Sequence, residues 1–160
     1  MKDLNKFTPM QKHHKVLIGI DPDLEKSGIA IKQDTKLELL NLPFLKLTEK
    51  LKEIVRVHQK ENIEVYIEKG ELNKSNFHVK TIPKTVRDIK VYCAKIGANT
   101  GKNFAVASLI EELLIDLQLT YFIVKPTSKK RTHSEVSKLT KLPSKTNQEQ
   151  RDALMLIIGR

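Results

Sequence analysis

At 160 residues, 39% hydrophobic and 30% charged, the chain has the length and composition to bury a core as one globular domain. No apolar run approaches the ~20 residues that cross a bilayer, the N-terminal stretch lacks an apolar signal core, and the single cysteine, Cys93, excludes an intrachain disulfide and a Cys-rich zinc site. The net charge of +10 points to polyanions, nucleic acid first among them, and the expectation is a cytoplasmic protein with no membrane partner.

Residues 1–14 show no periodicity and read as a flexible arm ahead of a domain over 15–160. Val16–Ile31 (VLIGIDPDLEKSGIAI) reads as two strands of a hairpin, two apolar runs parted by turn residues. Asp21 ends the first run, because Pro22 has no N–H to continue a ladder. Asp-Pro is also a common turn pair, so Asp21 alone decides nothing. Lys36–Leu42 adds a third antiparallel strand. Over Leu47–Lys60, Leu47, Leu51, Ile54, Val55 and His58 form one stripe, which predicts an amphipathic helix.

Ile63–Glu68 alternates strictly, with Glu64, Tyr66 and Glu68 on one side and a second carboxylate at its end. Glu71–Lys80 is a polar, basic loop, and a helix is expected from Pro83 to about Ile96, stopped by Gly97. Gly97–Asn103 (GANTGKN) is not a phosphate-binding loop: three residues, not four, separate its glycines, and Asn103 follows Lys102. It reads as a turn into a largely buried helix over Asn103–Gln118. Tyr121–Val124 predicts a short buried strand, and Pro126–Lys145 is a basic segment with helical character in Thr132–Leu139. Thr146-x-x-Glu149 matches a capping box opening a final helix to Gly159. Mixed strands with helices against them make an α/β domain.

Three elements thus place acids at their ends: Asp21, Glu68, and the pair Glu149 and Asp152, whose i, i+3 spacing shares one helix face. Clustered carboxylates suit hard divalent cations, two of which promote phosphodiester cleavage. Each acid also has a plain structural role open to it. Glu149 serves a capping box, Asp152 favours the positive end of a helix dipole, and Glu68 is an exposed strand end.

Four stretches, in order, resemble the RuvC-type Holliday junction resolvases, which have an RNase H-like fold. Gly19-Ile20-Asp21-Pro22-Asp23-Leu24-Glu25-Lys26-Ser27-Gly28 matches the family opening G-I-D-P-G-x-x-x-T-G, and Ile67-Glu68 matches its I-E strand end. Ile96-Gly97-Ala98-Asn99-Thr100-Gly101 matches L-G-x-x-x-G. Lys141-Leu142-Pro143 with Glu149-Gln150-Arg151-Asp152-Ala153-Leu154 matches K-L-P followed by D-x-x-D-A-L. The likeness runs from about Val16 to Ile158.

The resemblance implies a mixed five-stranded sheet flanked by helices, and Asp21, Glu68, Glu149 and Asp152 as catalytic ligands of Mg²⁺ or Mn²⁺, two ions per site. It implies a homodimer that cuts two symmetric strands of a four-way junction or other branched DNA. Asp23 departs from the family glycine and Glu149 from an aspartate. Lys69, Gly70 and Glu71 stand where the family often has a base-stacking aromatic, with Phe77 as a substitute in the same loop. Phosphate contacts are expected from Lys69, Lys74 and Lys80 around that loop and from Lys102 beyond it. The segment before Lys141 is shortened; Lys129 or Lys130 resembles the earlier family lysine, with Arg131 and His133 beside them. The alternatives are an RNase H-like nuclease acting on RNA or DNA flaps, and a catalytically weak structural protein that binds junctions.

Overall fold

A computed structural model describes residues 15–73, 81–127, 129–140 and 145–160. Three strands, β1 (Val16–Asp21), β2 (Ser27–Gln33) and β3 (Lys36–Leu42), form an antiparallel meander, followed by helix α1 (Phe44–Val57) and strand β4 (Ile63–Glu68). Then come α2 (Ile89–Asp116), β5 (Thr120–Val124), α3 (His133–Thr140) and α4 (Gln148–Met155). The sheet order is β3-β2-β1-β4-β5, with β4 and β5 parallel to β1. This is the mixed, helix-flanked five-stranded sheet of the RNase H-like expectation. Among the described residues, no helix is long and apolar enough to cross a membrane.

Strand alternation divides the interior into two layers. Val16, Ile18 and Ile20 of β1 with Ile63, Val65 and Ile67 of β4 pack against Leu47, Leu51 and Ile54 of α1 and Val106, Ile110 and Leu114 of α2. On the opposite face, Leu17, Ala30 and Tyr66 meet Val136 of α3 and Ala153, Leu154 and Ile157 at the C-terminal end of the chain. Glu68 and Asp21 have the parity of this second face. The α1 stripe is the expected one, although the helix begins at Phe44 and His58 caps its end, donating its N–H to Ile54.

Three expectations are corrected. Gly97 does not stop a helix: α2 runs unbroken through Gly97–Asn103, and it begins at Ile89, where Asp88 accepts a hydrogen bond from the Val91 N–H at 3.1 Å, rather than at Pro83. Neither glycine adopts the left-handed backbone of a helix stop. Only the C-terminal part of α2 is buried, and Leu109 and Ile115 are exposed there. Second, β5 is an edge strand with Phe122 and Ile123 each 43% exposed, not a buried one, because β4 is its one sheet neighbour among the described residues. Third, the cap of α4 is shifted by one: Asn147 accepts from the Gln150 N–H at 2.9 Å, and the Gln150 side chain accepts from the Asn147 N–H at 3.0 Å.

Among the described residues, nothing lies within 4 Å of where a Cβ on Gly97 would stand. Gly97→Ala is therefore expected to stabilise the protein by about 0.5–1 kcal/mol, the helix-interior difference between the two residues. A chemical-denaturation midpoint that moves down instead of up would contradict the continuous helix.

Candidate active site

Asp21 and Glu68 close adjacent parallel strands. Ile20 pairs with Ile67, and each acid is the residue that follows. Asp21 also pairs across the hairpin with Gly28 of β2, and Gly19 pairs with Ala30. Those two glycines seat α4. A Cβ on Gly28 would land on the backbone carbonyl of Glu149 and 2.9 Å from the Gln150 nitrogen. One on Gly19 would land on the carbonyl of Ala153 and 3.2 Å from Ile157. Two strand positions without side chains thus let the first turns of α4 press onto the sheet beside Asp21. Glu149 and Asp152 come with it.

The shifted cap frees Glu149 from the role that its position after Thr146 offered. Gln150 closes the capping box, and Glu149 is an acid of the first turn that takes no part in it. Asp152 is buried, and each of its oxygens has a donor: the Lys130 ammonium on Oδ2 and the Gln148 amide on Oδ1 at 2.7 Å. Arg151 organises this corner. Its Nε donates to the Arg131 carbonyl at 2.9 Å, one Nη donates to Gln148 at 2.8 Å, and the other donates to the Thr146 carbonyl.

The electrostatics follow from Asp152, Asp21 and Glu68 around one lysine, with Glu149 acting on Asp21. Burial, then the charges of Glu68, Asp152 and Glu149, raise Asp21 from 3.8 to about 8 against the opposing pull of Lys130. Burial also raises Glu68, with Asp152 adding to the shift and Lys130 opposing it. Burial pulls Lys130 down, but Asp152, Asp21 and Glu68 outweigh it, and the ammonium is held above its ordinary value. The cluster is short of positive charge.

The donor set fits a hard cation: carboxylate oxygens on rigid strand ends and a helix, with no sulfur or imidazole ligand. Among the described residues, no three His, Cys, Asp or Glu side chains are drawn up around one point as they stand. The Lys130 ammonium and the Gln148 amide hold the Asp152 oxygens instead.

No protein-family model matches the chain, and no curated protein matches it. Thermus thermophilus RuvC in complex with a Holliday junction substrate is similar in structure at 14% identity and a TM-score of 0.46, over 89% of this chain and 90% of that one. A second T. thermophilus RuvC structure aligns at 12% identity and 0.40, over 88% and 90% of the two chains. YeaZ from Pseudomonas aeruginosa aligns at 13% and 0.34, over 69% and 44%. Each is a distant likeness.

The cationic positions divide sharply. Lys69 is buried, its ammonium 2.6 Å from Glu71 and 2.7 Å from Glu111, and Glu111 also accepts from the Tyr121 hydroxyl at 3.0 Å. In this structure its charge is taken up inside the protein by Glu71 and Glu111. Lys102 is exposed on α2 next to Asn103, whose amide oxygen accepts from the Leu24 N–H at 3.1 Å and whose amide nitrogen reaches Asp23 at 3.4 Å. That pair of bonds ties the turn after Asp21 to α2. Lys129 is exposed, Arg131 pairs with Glu135 at 3.2 Å, and His133 Nδ1 lies 3.3 Å from the Thr146 hydroxyl. The remaining expected contacts, Lys74, Phe77 and Lys80, together with Lys141-Leu142-Pro143 and the 1–14 arm, lie outside the described residues.

The partners of Asp152 escape sequence reasoning. Gln148 is legible in principle as its i−4 neighbour on α4. Lys130 stands out in the sequence only by its resemblance to a family lysine, and no pattern signals its pairing with Asp152, 22 residues later.

Proposed function

We propose that the protein is a divalent-metal-dependent endonuclease that hydrolyses phosphodiester bonds in branched DNA, four-way junctions above all. The observation that carries the chemistry is the gathering of Asp21, Glu68, Glu149 and Asp152 on one sheet face, through the close seat of α4 on Gly19 and Gly28, in a chain of net charge +10. The branched substrate rests on the four sequence motifs.

In this reading the four acids would hold Mg²⁺ or Mn²⁺, two ions per site, which supply an activated water and stabilise the leaving oxygen. The chain's own contribution is placement. Asp21 and Glu68 are carried by parallel strands, and Asp152 and Glu149 by a helix whose backbone lies close against Gly19 of β1 and Gly28 of β2. Burial around Asp21 keeps bulk water from screening the site. Exposed Lys102 and Lys129, with Arg131 and His133 nearby, would contact backbone phosphates, which sets position rather than sequence. A homodimer would present two such sites to a two-fold symmetric junction.

A labelled synthetic four-way junction, its linear duplex and an RNA–DNA hybrid, each with Mg²⁺ and with Mn²⁺, test the proposal. Symmetric incision of the junction in preference to the others is expected. Preference for the hybrid overturns the substrate class, and no incision of any of them overturns the enzyme. A second reading, a junction-binding protein with weak catalysis, draws support from the engagement of both Asp152 oxygens. Tight junction binding without cleavage in either metal would select it.

Glu149→Gln separates ligand from helix cap. Because Gln150 carries the cap, stability should change by no more than about 0.5–1 kcal/mol, the scale of one acid at a helix N-terminus. Cleavage should fall by more than the roughly 10–100-fold that groups supporting a ligand are worth, and Glu149→Asp should remain active. Full activity in the Gln variant would leave Asp152 as the sole ligand on α4.

A further inference from the structure

Asp152 is the buried member of the four-acid cluster, and its surroundings form a closed circuit. Lys130 and Gln148 take one oxygen each. Arg151 then holds both donors in place, through the carbonyl of Arg131 at 2.9 Å and the amide oxygen of Gln148 at 2.8 Å. The ammonium of Lys130 acts on Asp21 and Glu68 as well as on Asp152. Yet the Lys130 side chain is 53% exposed against 10% for Asp152. The lysine is a lid on the acid, with a free path to solvent.

We propose that Lys130 is a resident cation of the metal-free protein, and that a divalent ion engages Asp152 only by displacing it. The proposal rests on the metal-dependent reading above and adds the element that sets how tightly metal is held. Four carboxylates without a counter-charge would repel one another, and a single flexible ammonium relieves that repulsion. Its long stem can swing outward while the chain beside it stays in place, because the Arg131 carbonyl is held by Arg151 of α4 independently of the Lys130–Asp152 bond. Exchange of one cation for another never leaves the acids without a positive charge among them.

The test is Mn²⁺ affinity, read by titration calorimetry and by the electron paramagnetic resonance signal of free Mn²⁺, with melting temperature in chelator and in Mg²⁺. Lys130→Met should bind Mn²⁺ roughly tenfold or more tightly than wild type, the scale on which a charged hydrogen-bond partner counts. Its melting temperature should fall in chelator and recover in Mg²⁺. Lys129→Met removes an equal charge without touching Asp152 and should shift affinity by less than about twofold, as a screened surface charge does.

Lys130→Arg keeps a cation with a fork suited to carboxylate, so it should bind Mn²⁺ more weakly than wild type. This arm stands even where the Met variant does not fold in chelator. Unchanged or weaker Mn²⁺ binding by folded Lys130→Met, or an equal gain in Lys129→Met, overturns the exchange while leaving the metal reading intact. Absence of Mn²⁺ binding in wild type and every variant overturns both.

Discussion

Asp21→Asn is expected to abolish junction cleavage and, in metal-free buffer, to make the protein more stable at pH 8 than wild type. The loss of rate should reach about 10²–10⁴-fold, since stabilisation of charge by a held ion is worth several kcal/mol and each 1.36 kcal/mol is tenfold. The gain in stability has an opposite origin. Burial and the neighbouring Glu68, Asp152 and Glu149 raise folded Asp21 from 3.8 to about 8. The folded protein therefore holds a proton that the unfolded chain releases. Stability from this group is fully present below about pH 4 and lost as pH rises through 8, a difference on the order of a few kcal/mol.

An amide keeps the shape and has no charge to bury, so the variant should not follow that decline. Wild type and variant should converge as pH falls toward 4 and diverge at pH 8, and Mg²⁺ should close the gap by binding folded wild type. Urea unfolding across this range, with and without Mg²⁺, checks each part. A variant less stable than wild type at pH 8 in chelator would mean that Asp21 is a structural hydrogen-bonding group and not a strained ligand.

Much of this site is legible in the chain because strands carry their side-chain parity in sequence. The alternation of Ile63–Glu68 sets the side on which Glu68 lies, while the apolar run Val16–Ile20 marks Asp21 only as a strand end, and the parallel register of β1 and β4 then puts the two acids on a common face. Pro22 and Gly70 mark where each strand ends. The same local logic fails along α2. Gly97 and Gly101 look like stop signals, yet a glycine ends a helix by taking a left-handed backbone, and neither does. The cost of a glycine in the interior, about 1 kcal/mol, is small enough for a 28-residue helix to absorb. The α4 cap fails differently: Thr146/Glu149 and Asn147/Gln150 are overlapping boxes of similar quality, and the contact of Gln150 with the Leu39 carbonyl at 3.4 Å is a tertiary bond that no local pattern contains.

Lysines show the widest gap between composition and place. The net charge of +10 is a property of the whole chain, but Lys69 is neutralised inside by Glu71 and Glu111, and Lys130 by the acidic cluster. Charge counts attract nucleic acid to a surface. Tertiary pairing decides which lysines are left to meet it.

Gly28→Ala is expected to damage both fold and activity, in contrast to Gly97→Ala. Gly28 lies opposite Asp21 in the hairpin, and the added methyl would occupy the position of the Glu149 carbonyl. The obstacle is helix backbone, which cannot swing aside as a side chain end does. α4 must lift from β1 and β2, opening the packing of Ala153, Leu154 and Ile157 on Leu17 and Ala30. Overpacking of this kind costs about 1–3 kcal/mol and occasionally more. Lifting α4 also carries Glu149 and Asp152 away from Asp21 and Glu68, and displacement by about 1 Å is enough to cost about 10²-fold in rate. The two effects separate by temperature. Denaturation should show the variant less stable than wild type, and cleavage measured well below its melting temperature should still be depressed. A Gly28→Ala protein with wild-type stability and junction cleavage would show that α4 does not rest on the hairpin, and with it that the four acids are not brought together by this seat.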